Sequence, residues 1–285
     1  MELSTTNLIL APDASIDLQM HTTYSDGVWH PEQLIDYLAS ENFGMVAITD
    51  HDRVDTVAAL QYLAAQKQLP VLVAAEMSTS WKCEATDVLC YGFDPQEKKL
   101  QDLAQDVLRR QQEITQNVYQ NLLRKGYAFP RQQEVLKESG GEPRQATDLV
   151  ALLKQHGYET DEEASAKIVF DEGFFYATND IASVVDAVHR SGGVCLIAHP
   201  GRREGFICYD VCLLDQLRQE VSIDGFEVYH PTHTPEQIAM YLSYAQKHNL
   251  LTSSGSDSHS PDKKPIKYRA DLSRRLLERV GIRVK

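Results

Sequence analysis

The chain has 285 residues, of which 42% are hydrophobic and 24% are charged, and its formal net charge is −13. These proportions are typical of a globular protein and exclude a disordered or fibrous chain. An acidic chain without an extended basic patch disfavours long nucleic acid as a partner, and the lack of an apolar run of about 18 residues disfavours a membrane span.

Short apolar runs alternate with helical patterns along most of the chain. The runs are rich in Val, Ile and Leu, as parallel strands buried on both faces tend to be. They predict seven strands: Ile16–Met20, Met45–Thr49, Val71–Ala75, Val88–Tyr91, Val194–Ala198, Gly225–Tyr229 and Leu250–Ser253. The helices predicted between them are Pro31–Ala39, Val54–Gln68, Ile181–Arg190 and Pro235–His248. Repeated strand–helix units predict an α/β protein with a parallel sheet or a distorted (β/α)7 barrel.

This alternation stops between residues 95 and 178, where only helices are predicted: Pro95–Lys125, Gln145–His156 and Asp161–Phe170. We therefore expect a discontinuous barrel domain, residues 14–94 and 179–285, that carries a small helical insertion, residues 95–178. The insertion could add stability or select the substrate, and the sequence leaves both roles open.

The five cysteines contain no CxxC pair, which disfavours a zinc–thiolate site. Cys90, Cys195 and Cys212 lie in apolar runs and are expected to be buried free thiols. The residues at the start of the chain lack the basic and apolar pattern of a signal peptide. Together these features predict a cytoplasmic protein.

Histidines and carboxylates collect directly after the predicted strands. Six of the ten histidines do so: His21, His51, His199, His230, His233 and His259. The carboxyl ends of barrel strands form one face, and that face holds the active site of barrel enzymes. Imidazole and carboxylate ligands suit Mn, Zn or Fe, whereas Mg prefers oxygen alone. We expect two or three divalent ions at this face, with Mg also possible. The remaining histidines are expected to be surface or packing residues.

Several of these segments together resemble the polymerase and histidinol phosphatase (PHP) family. The segments are Asp17–Gly27, Ala47–Asp52, Glu76, Ala198–Arg202 and Ser254–His259. The resemblance covers about residues 14–94 and 180–260, and it is greatest to small phosphoesterases that act on nucleotide-type monophosphates. It implies a distorted (β/α)7 barrel of the PHP fold and a metal-dependent phosphoric ester hydrolase. In such an enzyme the metals lower the pKa of a water molecule that attacks phosphorus.

The resemblance also implies which residues bind metal, by position in the motifs. The implied ligands are His21, Glu76 and Asp257 for one ion, Glu76 and His199 for a second, and Asp26, His51 and His259 for a third. Glu76 would bridge two ions. Glu76, His199 and Asp257 are also the residues expected to be catalytic.

Substrate-binding residues are implied less specifically. His233 lies where the family places a residue near the substrate phosphate, and His230 and Arg202 are further candidates. In the insertion, Arg144 is the nearest match to the phosphate-binding basic residues of the family. A small phosphate ester is therefore the expected substrate, and the oligomeric state is left open.

Two positions depart from the family pattern. Gln19 replaces the first histidine of a His-x-His motif, and Asp87 replaces a histidine at the fourth predicted strand. Both can still bind a metal, but through oxygen, which should shift the centre toward harder ions such as Mn or Mg. These two departures leave open a metal-binding PHP module whose catalysis has weakened. An exonuclease acting on short oligonucleotides is a second alternative, because the acidic charge disfavours only long nucleic acid.

Overall fold

The computed structural model describes residues 5, 7–137 and 139–285. Glu138, inside the predicted insertion, lies outside the described residues. Contacts divide the chain into two compact units, one reaching to Ala104 and continuing over Thr178–Lys285, the other Gln105–Ala177. No helix among the described residues has the length and apolar character needed to cross a membrane.

The strands of the described residues all lie in the first unit. In chain order they are β1 (Ile9–Leu10), β2 (Ser15–Asp17), β3 (Met45–Ala47), β4 (Val71–Leu72), β5 (Ala74–Met77), β6 (Thr79–Trp81), β7 (Glu84–Ala85), β8 (Val88–Tyr91), β9 (Asn179–Asp180), β10 (Val194–Ile197), β11 (Gly225–Tyr229), β12 (Leu251–Ser254), β13 (Tyr268–Arg269) and β14 (Arg283–Val284). Each of the seven predicted strands overlaps an observed one.

The helices connect the strands and also build the second unit. They are α1 (Pro31–Ser40), α2 (Val57–Ala65), α3 (Lys98–Arg124), α4 (Gln132–Val135), α5 (Ala146–Gln155), α6 (Glu162–Asp171), α7 (Ile181–Arg190), α8 (Val211–Glu220), α9 (Pro235–Lys247) and α10 (Arg274–Arg279). A 3-10 turn, Ala270–Ser273, precedes α10. The predicted helices all form, with ends shifted by up to three residues.

Two sheets carry most of the strands, and the fold is mixed α/β. One has the order β12-β11-β10-β8-β5 and the other β13-β2-β3-β4. The pairs β2–β3, β3–β4, β10–β11 and β11–β12 are parallel, as expected of strands joined by helices. Smaller sheets pair β1 with β14 and β6 with β7 and β9.

The expectation of a uniformly parallel sheet is wrong at β8. This strand pairs antiparallel with both β5 and β10. The chain leaves β5 through the short β6–β7 excursion, and without a crossover helix it must return in the opposite direction. The amino end of β8 therefore lies at the same edge as the carboxyl ends of β5 and β10, and Asp87, which precedes β8, is placed there.

Period-two alternation decides which side chains enter the core. On β5, Ala75 and Met77 belong to one apolar cluster, and Phe226 and Val228 of β11 belong to the same cluster. Glu76 lies between the first two residues and Glu227 between the last two, so both carboxylates point to the opposite side of their strands.

The prediction of a buried Cys212 is wrong, because this residue lies near the start of α8 and is exposed, whereas Cys90 and Cys195 are buried.

Hydrogen bonds continue beyond the strand ends and link the two large sheets. After β2, the N–H of Leu18 donates to the carbonyl of Ser254 at 3.1 Å. After β3, the carbonyl of Thr49 accepts from the N–H of Glu76 at 3.1 Å. These links bring the segments that follow β2, β3 and β12 to the edge where β5 ends.

The second unit is a helical layer with its own apolar core. Leu122 of α3, Leu149 and Leu152 of α5 and Val169 of α6 are all fully buried in one cluster. Asp161 caps α6 by accepting the N–H of Ala164.

Candidate metal centre

Three ionisable side chains meet around one point at the edge where β5 ends. The Nε2 atom of His21 lies 3.1 Å from Oε2 of Glu76 and 3.2 Å from Oδ1 of Asp257. Two ligands of one four-coordinate ion are about 3 to 3.5 Å apart when each bond is near 2.1 Å. His21, Glu76 and Asp257 can therefore hold one metal ion together.

The second oxygen of Glu76 faces other donors. Oε1 lies 3.2 Å from Nε2 of His199. Glu76 also forms a possible metal-binding group with His51 and Asp87, whose ligand atoms lie within 4.8 Å of one another. A single carboxylate with donors on both oxygens has the arrangement that a bridging ligand requires.

A third group lies on the outer side of His21. Oδ2 of Asp26 is 3.3 Å from Nε2 of His259 and 4.0 Å from Nε2 of His51. The rings of His51 and His259 both stack on that of His21, with centroids 4.7 and 4.2 Å away. Stacked imidazoles that present nitrogens to the same carboxylate again fit a shared ion.

A tight turn holds Asp26 in place. The N–H of Gly27 donates to the carbonyl of Thr22, closing the segment that carries Asp26. A Cβ at Gly27 would lie 2.5 Å from the carbonyl oxygen of His21. Glycine is required here because backbone passes directly over backbone.

The two residues that depart from the family pattern both contact the centre. The side-chain amide of Gln19 donates to Oε2 of Glu76 at 2.8 Å. Its Oε1 atom is buried and has no hydrogen-bond partner among the described residues. Asp87 is 5% exposed and belongs to the group with His51 and Glu76. Gln19 and Asp87 thus each present a side-chain oxygen that could coordinate a cation.

The buried imidazoles of the centre compensate the negative charge of its carboxylates only in part. Burial works against the charged form of Glu76, but the neighbouring imidazoles, above all His51 and His199, hold its pKa well below the usual range. Burial likewise opposes the charged form of His21, yet contact with the carboxylates of Asp257 and Glu76 raises its pKa well above the usual value. Burial and the charge of Glu76 raise the pKa of Asp87. A divalent cation would relieve this repulsion between carboxylates.

Buried polar atoms without hydrogen-bond partners concentrate at this place. Within the described ranges they include Gln19 Oε1, both ring nitrogens of His21, His51 Nδ1, Glu76 Oε1, His199 Nδ1, Glu227 Oε1 and His230 Nε2. Buried polar groups are normally paired, so a cluster of unpaired ones demands an explanation. Metal ions held by the groups above would satisfy several of them, among them His21 Nε2 and Glu76 Oε1, and the donor set of imidazole and carboxylate suits Mn, Zn or Fe.

The candidate substrate-binding residues differ in what they can offer. Nη1 of Arg202 lies 3.8 Å from Oδ2 of Asp257, with its side chain 36% exposed. His230 Nε2 lies 3.7 Å from the same oxygen. These two side chains flank the centre with donors.

His233 is engaged elsewhere. Its Nδ1 donates to the carbonyl of Val228 at 3.0 Å, and its Nε2 accepts the N–H of Gly201 at 3.0 Å. Both ring nitrogens are thus occupied by backbone. Burial lowers the pKa of His233 to about 4, which keeps the ring neutral.

Arg144 belongs to the second unit. Its N–H donates to Asp148, and its carbonyl accepts from Thr115. Its proposed role in substrate binding stays a prediction.

Two carboxylates near the centre were missed by the sequence interpretation. Asp50 accepts the N–H and the hydroxyl of Thr22 at 2.6 and 2.8 Å, and also the hydroxyl of Ser25. Glu227 accepts the N–H of His199 at 2.9 Å. A signal for Glu227 was present in the sequence, because an acidic residue inside an apolar strand run has to be paired.

The chain is similar to one known family and to several known proteins. The PHP domain family model matches residues 17–279. A 3',5'-nucleoside bisphosphate phosphatase of Chromobacterium violaceum is 29% identical over 253 residues, which cover 87% of this chain and 88% of that protein. A 5'-3' exoribonuclease of Haemophilus influenzae is 25% identical, with 86% and 90% covered.

Solved structures agree with the fold. A structure described as a metal-dependent phosphoesterase from Bifidobacterium adolescentis superposes with a TM-score of 0.80 at 23% identity, covering 94% of this chain and 97% of that one. An amidohydrolase from Chromobacterium violaceum with bound sulfate and no metal gives 0.77 at 24% identity, covering 93% and 97%. At these identities the likeness concerns the fold.

Proposed function

The chain belongs to the PHP domain family, and from this premise we propose that it hydrolyses small phosphate esters, with phosphorylated nucleotides as the substrate class. It is a metal-dependent phosphoric ester hydrolase. The observation that carries the proposal is the sharing of Glu76 between donors on both of its oxygens. A shared carboxylate surrounded by histidines serves to hold more than one cation, and phosphoryl transfer uses such pairs.

We propose that the strands of the first unit are arranged as a distorted seven-stranded barrel. The support is the ladder that joins β12 through β5, the single residue between β4 and β5, and the β2–β3–β4 pairing. The bond between Leu18 and Ser254 then links β2 to β12. On this arrangement the metal centre lies at the face where the parallel strands end.

The ligands we propose are those of the three groups above. His21, Glu76 and Asp257 hold one ion, Glu76 and His199 a second, and Asp26, His51 and His259 a third, with Asp87 and Gln19 as additional oxygen donors. When bound, divalent ions such as Mn, Zn, Fe or Mg supply Lewis acidity and a water of lowered pKa. The two oxygen donors favour Mn or Mg over Zn.

The protein's own groups would position the substrate and stabilise charge. Arg202 offers a planar cation beside Asp257, within reach of phosphoryl oxygens that gain negative charge during transfer. His230 presents its unpaired Nε2 to the same space. We propose Glu76, His199 and Asp257 as the catalytic residues, because Glu76 contacts both His21 and His199 and Asp257 contacts His21.

The direct experiment is phosphate release from a nucleoside 3',5'-bisphosphate by the chelated protein and by the protein restored with Mn. We expect turnover to vanish on chelation and to return with the ion. Turnover that survives exhaustive chelation would overturn the proposal.

A second candidate is 5'-3' exoribonuclease activity. The observation favouring it is that a protein of that name aligns with this chain over 86% of its length. Incubation with a short 5'-phosphorylated RNA, in parallel with the bisphosphate, separates the two functions by which substrate is consumed faster. Full metal content without turnover on either substrate would instead indicate a weakened metal-binding module.

We also propose a cytoplasmic location, which rests on five unpaired cysteines. The predicted domain boundaries, residues 14–94 and 179–285 with an insertion at 95–178, likewise remain a proposal.

A further inference from the structure

The carboxyl group of Glu227 lies fully buried next to the metal centre. Glu227 is the middle residue of β11, and its side chain points away from the apolar cluster that contains Phe226 and Val228. One oxygen, Oε2, accepts the N–H of His199 at 2.9 Å. The other, Oε1, has no hydrogen-bond partner in the described part of the chain. A buried carboxyl with so few bonds is costly, which calls for a reason to keep it.

The bond from His199 occurs at an unusual point of the backbone. The ladder between β10 and β8 continues to Ala198, whose N–H donates to the carbonyl of Asp87 at 2.9 Å. At His199 the backbone turns into the left-handed region, with φ of 28°. A residue with a Cβ rarely adopts this conformation unless its surroundings impose it. The Glu227 carboxylate supplies the acceptor that the N–H of His199 needs after leaving the ladder.

The turn at His199 decides where its imidazole lies. In this conformation Nε2 is 3.2 Å from Oε1 of Glu76. If the N–H lost its acceptor, the backbone would be free to return toward the extended region. The ring would then move away from Glu76, and the donor pair would separate.

The Glu227 carboxyl packs closely against the segment that follows β12. A Cβ on Gly255 would lie 2.5 Å from Glu227 Oε1 and 2.5 Å from the Cβ of Gln19. The chain between β12 and Asp257 therefore passes directly against Glu227. Glu227 therefore contacts both the segment that follows β10 and the segment that follows β12.

We propose that Glu227 is a positioning residue that sets the geometry of His199 as a metal ligand. The inference rests on the proposed metal centre, and it adds a residue outside the three ligand groups. Glu227 acts through its acceptor oxygen and the length of its side chain, and the negative charge of the carboxylate is not required. Partners that orient ligands in this way change metal affinity by about 10- to 100-fold when they are removed.

Asp224 provides a matched comparison. It precedes β11 and accepts the N–H of Cys195 on β10 at 2.8 Å. Cys195 is four residues before His199, which is about 13 Å along a strand. Both carboxylates thus accept an amide N–H, but Asp224 does so within β10 and Glu227 does so after β10, at the metal centre.

The experiment compares Glu227→Gln, Glu227→Asp and Asp224→Ala. Glutamine keeps the length and an acceptor oxygen, whereas aspartate keeps the charge but is one methylene too short to reach the His199 N–H. Each protein is reconstituted with Mn, its metal content per chain and Mn affinity are measured, and thermal unfolding of the chelated form checks the fold.

We expect Glu227→Gln and Asp224→Ala to keep the wild-type metal content. Glu227→Asp should lose about one ion per chain, or bind it 10- to 100-fold more weakly. Full Mn binding by Glu227→Asp would overturn the inference, as would an equal loss in Glu227→Gln. If the wild-type protein itself bound no Mn, the proposed function would fail instead, so the two failures are distinguishable.

Amide hydrogen exchange of the chelated wild-type protein covers the case in which Glu227→Asp does not fold. The His199 amide should exchange slowly, because it is buried and bonded to Glu227. Exchange at the rate of a solvent-exposed amide would contradict the proposal.

Discussion

The side-chain amide of Gln19 donates a 2.8 Å hydrogen bond to Oε2 of Glu76, and both residues are fully buried. Gln19, at the position where the family resemblance implies a histidine, therefore contacts the carboxylate at the middle of the proposed metal centre. Its remaining amide oxygen is unpaired among the described residues. Gln19 can thus orient Glu76 through nitrogen and offer a neutral oxygen to an ion.

This contact predicts how Gln19 sets the choice of metal. Gln19→His replaces an oxygen donor with an imidazole, which Zn prefers more strongly than Mn does. We expect the ratio of Zn to Mn affinity to rise by about tenfold or more, measured by competition between the two ions. Gln61→His, which changes the same residue type on α2, should leave that ratio unchanged. An unchanged ratio in Gln19→His would show that position 19 does not reach an ion.

Removing the charge of the central carboxylate tests its shared role. Glu76→Gln keeps the shape but weakens ligation on both oxygens, so we expect kcat to fall by on the order of 100-fold or more, with lower metal content. Steady-state phosphate release and metal analysis measure both effects. The control is Glu84→Gln on β7, which is exposed and should retain activity. A Glu76→Gln protein with normal turnover would remove Glu76 from the centre.

The turn that carries Asp26 should not accept any side chain at Gly27. The added Cβ would lie 2.5 Å from the His21 carbonyl oxygen, and backbone on both sides cannot yield cheaply. We expect Gly27→Ala to lower the free energy of unfolding by about 1 to 3 kcal/mol. Metal binding by the group around Asp26 should weaken as well.

Gly44→Ala serves as the comparison, because its new Cβ would meet the Ala14 side chain at 3.3 Å and come no closer to any atom. Urea unfolding of the two variants should show the larger loss in Gly27→Ala. Equal losses would mean that the turn at Gly27 adapts.

His233 should give the chelated protein a pH-dependent stability. Burial lowers its pKa to about 4 in the folded state, against 6.5 for the ordinary side chain. Between these values the unfolded chain binds the proton that the folded chain excludes, so stability is complete above pH 6.5 and falls as the pH drops toward 4. Between pH 7.5 and 5 this residue should cost about 2 kcal/mol.

Urea unfolding of the wild type and of His233→Gln at both pH values isolates this contribution, since the difference between their pH slopes belongs to His233. NMR of the imidazole should show a neutral ring with the proton on Nδ1. Identical slopes, or a His233 pKa near 6.5, would contradict the backbone bonds seen here.

The sequence was most informative where a single pattern determines the structure. Buried apolar runs marked the strands of both large sheets except β13, and Pro31 and Pro235 marked the starts of α1 and α9. Strand direction was not readable in the same way, because the apolar run of β8 looks the same whichever way it points. Short polar strands such as β6 and β7 carry no periodicity, and α8 was missed although Asp210 caps it.

The histidines and carboxylates of the site were predicted because they follow strands. Several of them lie around Glu76 because the ends of those strands meet at one edge. Their pairing was not predictable, since it depends on the turns after each strand. His233 occupies a site position in the sequence, yet its ring bonds to Val228 and Gly201. Glu227 was missed although an acidic residue inside an apolar strand run has to be paired, because the sequence does not show which group pairs with it.

We propose that Glu76 is shared by two metal ions in a phosphoesterase centre. Anomalous diffraction from crystals of the active, Mn-loaded protein is the decisive measurement, because it locates the ions without assuming their ligands. We expect at least two anomalous peaks, each about 2.0 to 2.3 Å from a different Glu76 oxygen, one beside His21 and one beside His199. One peak or none at Glu76 in crystals of the active protein would rule out the shared carboxylate.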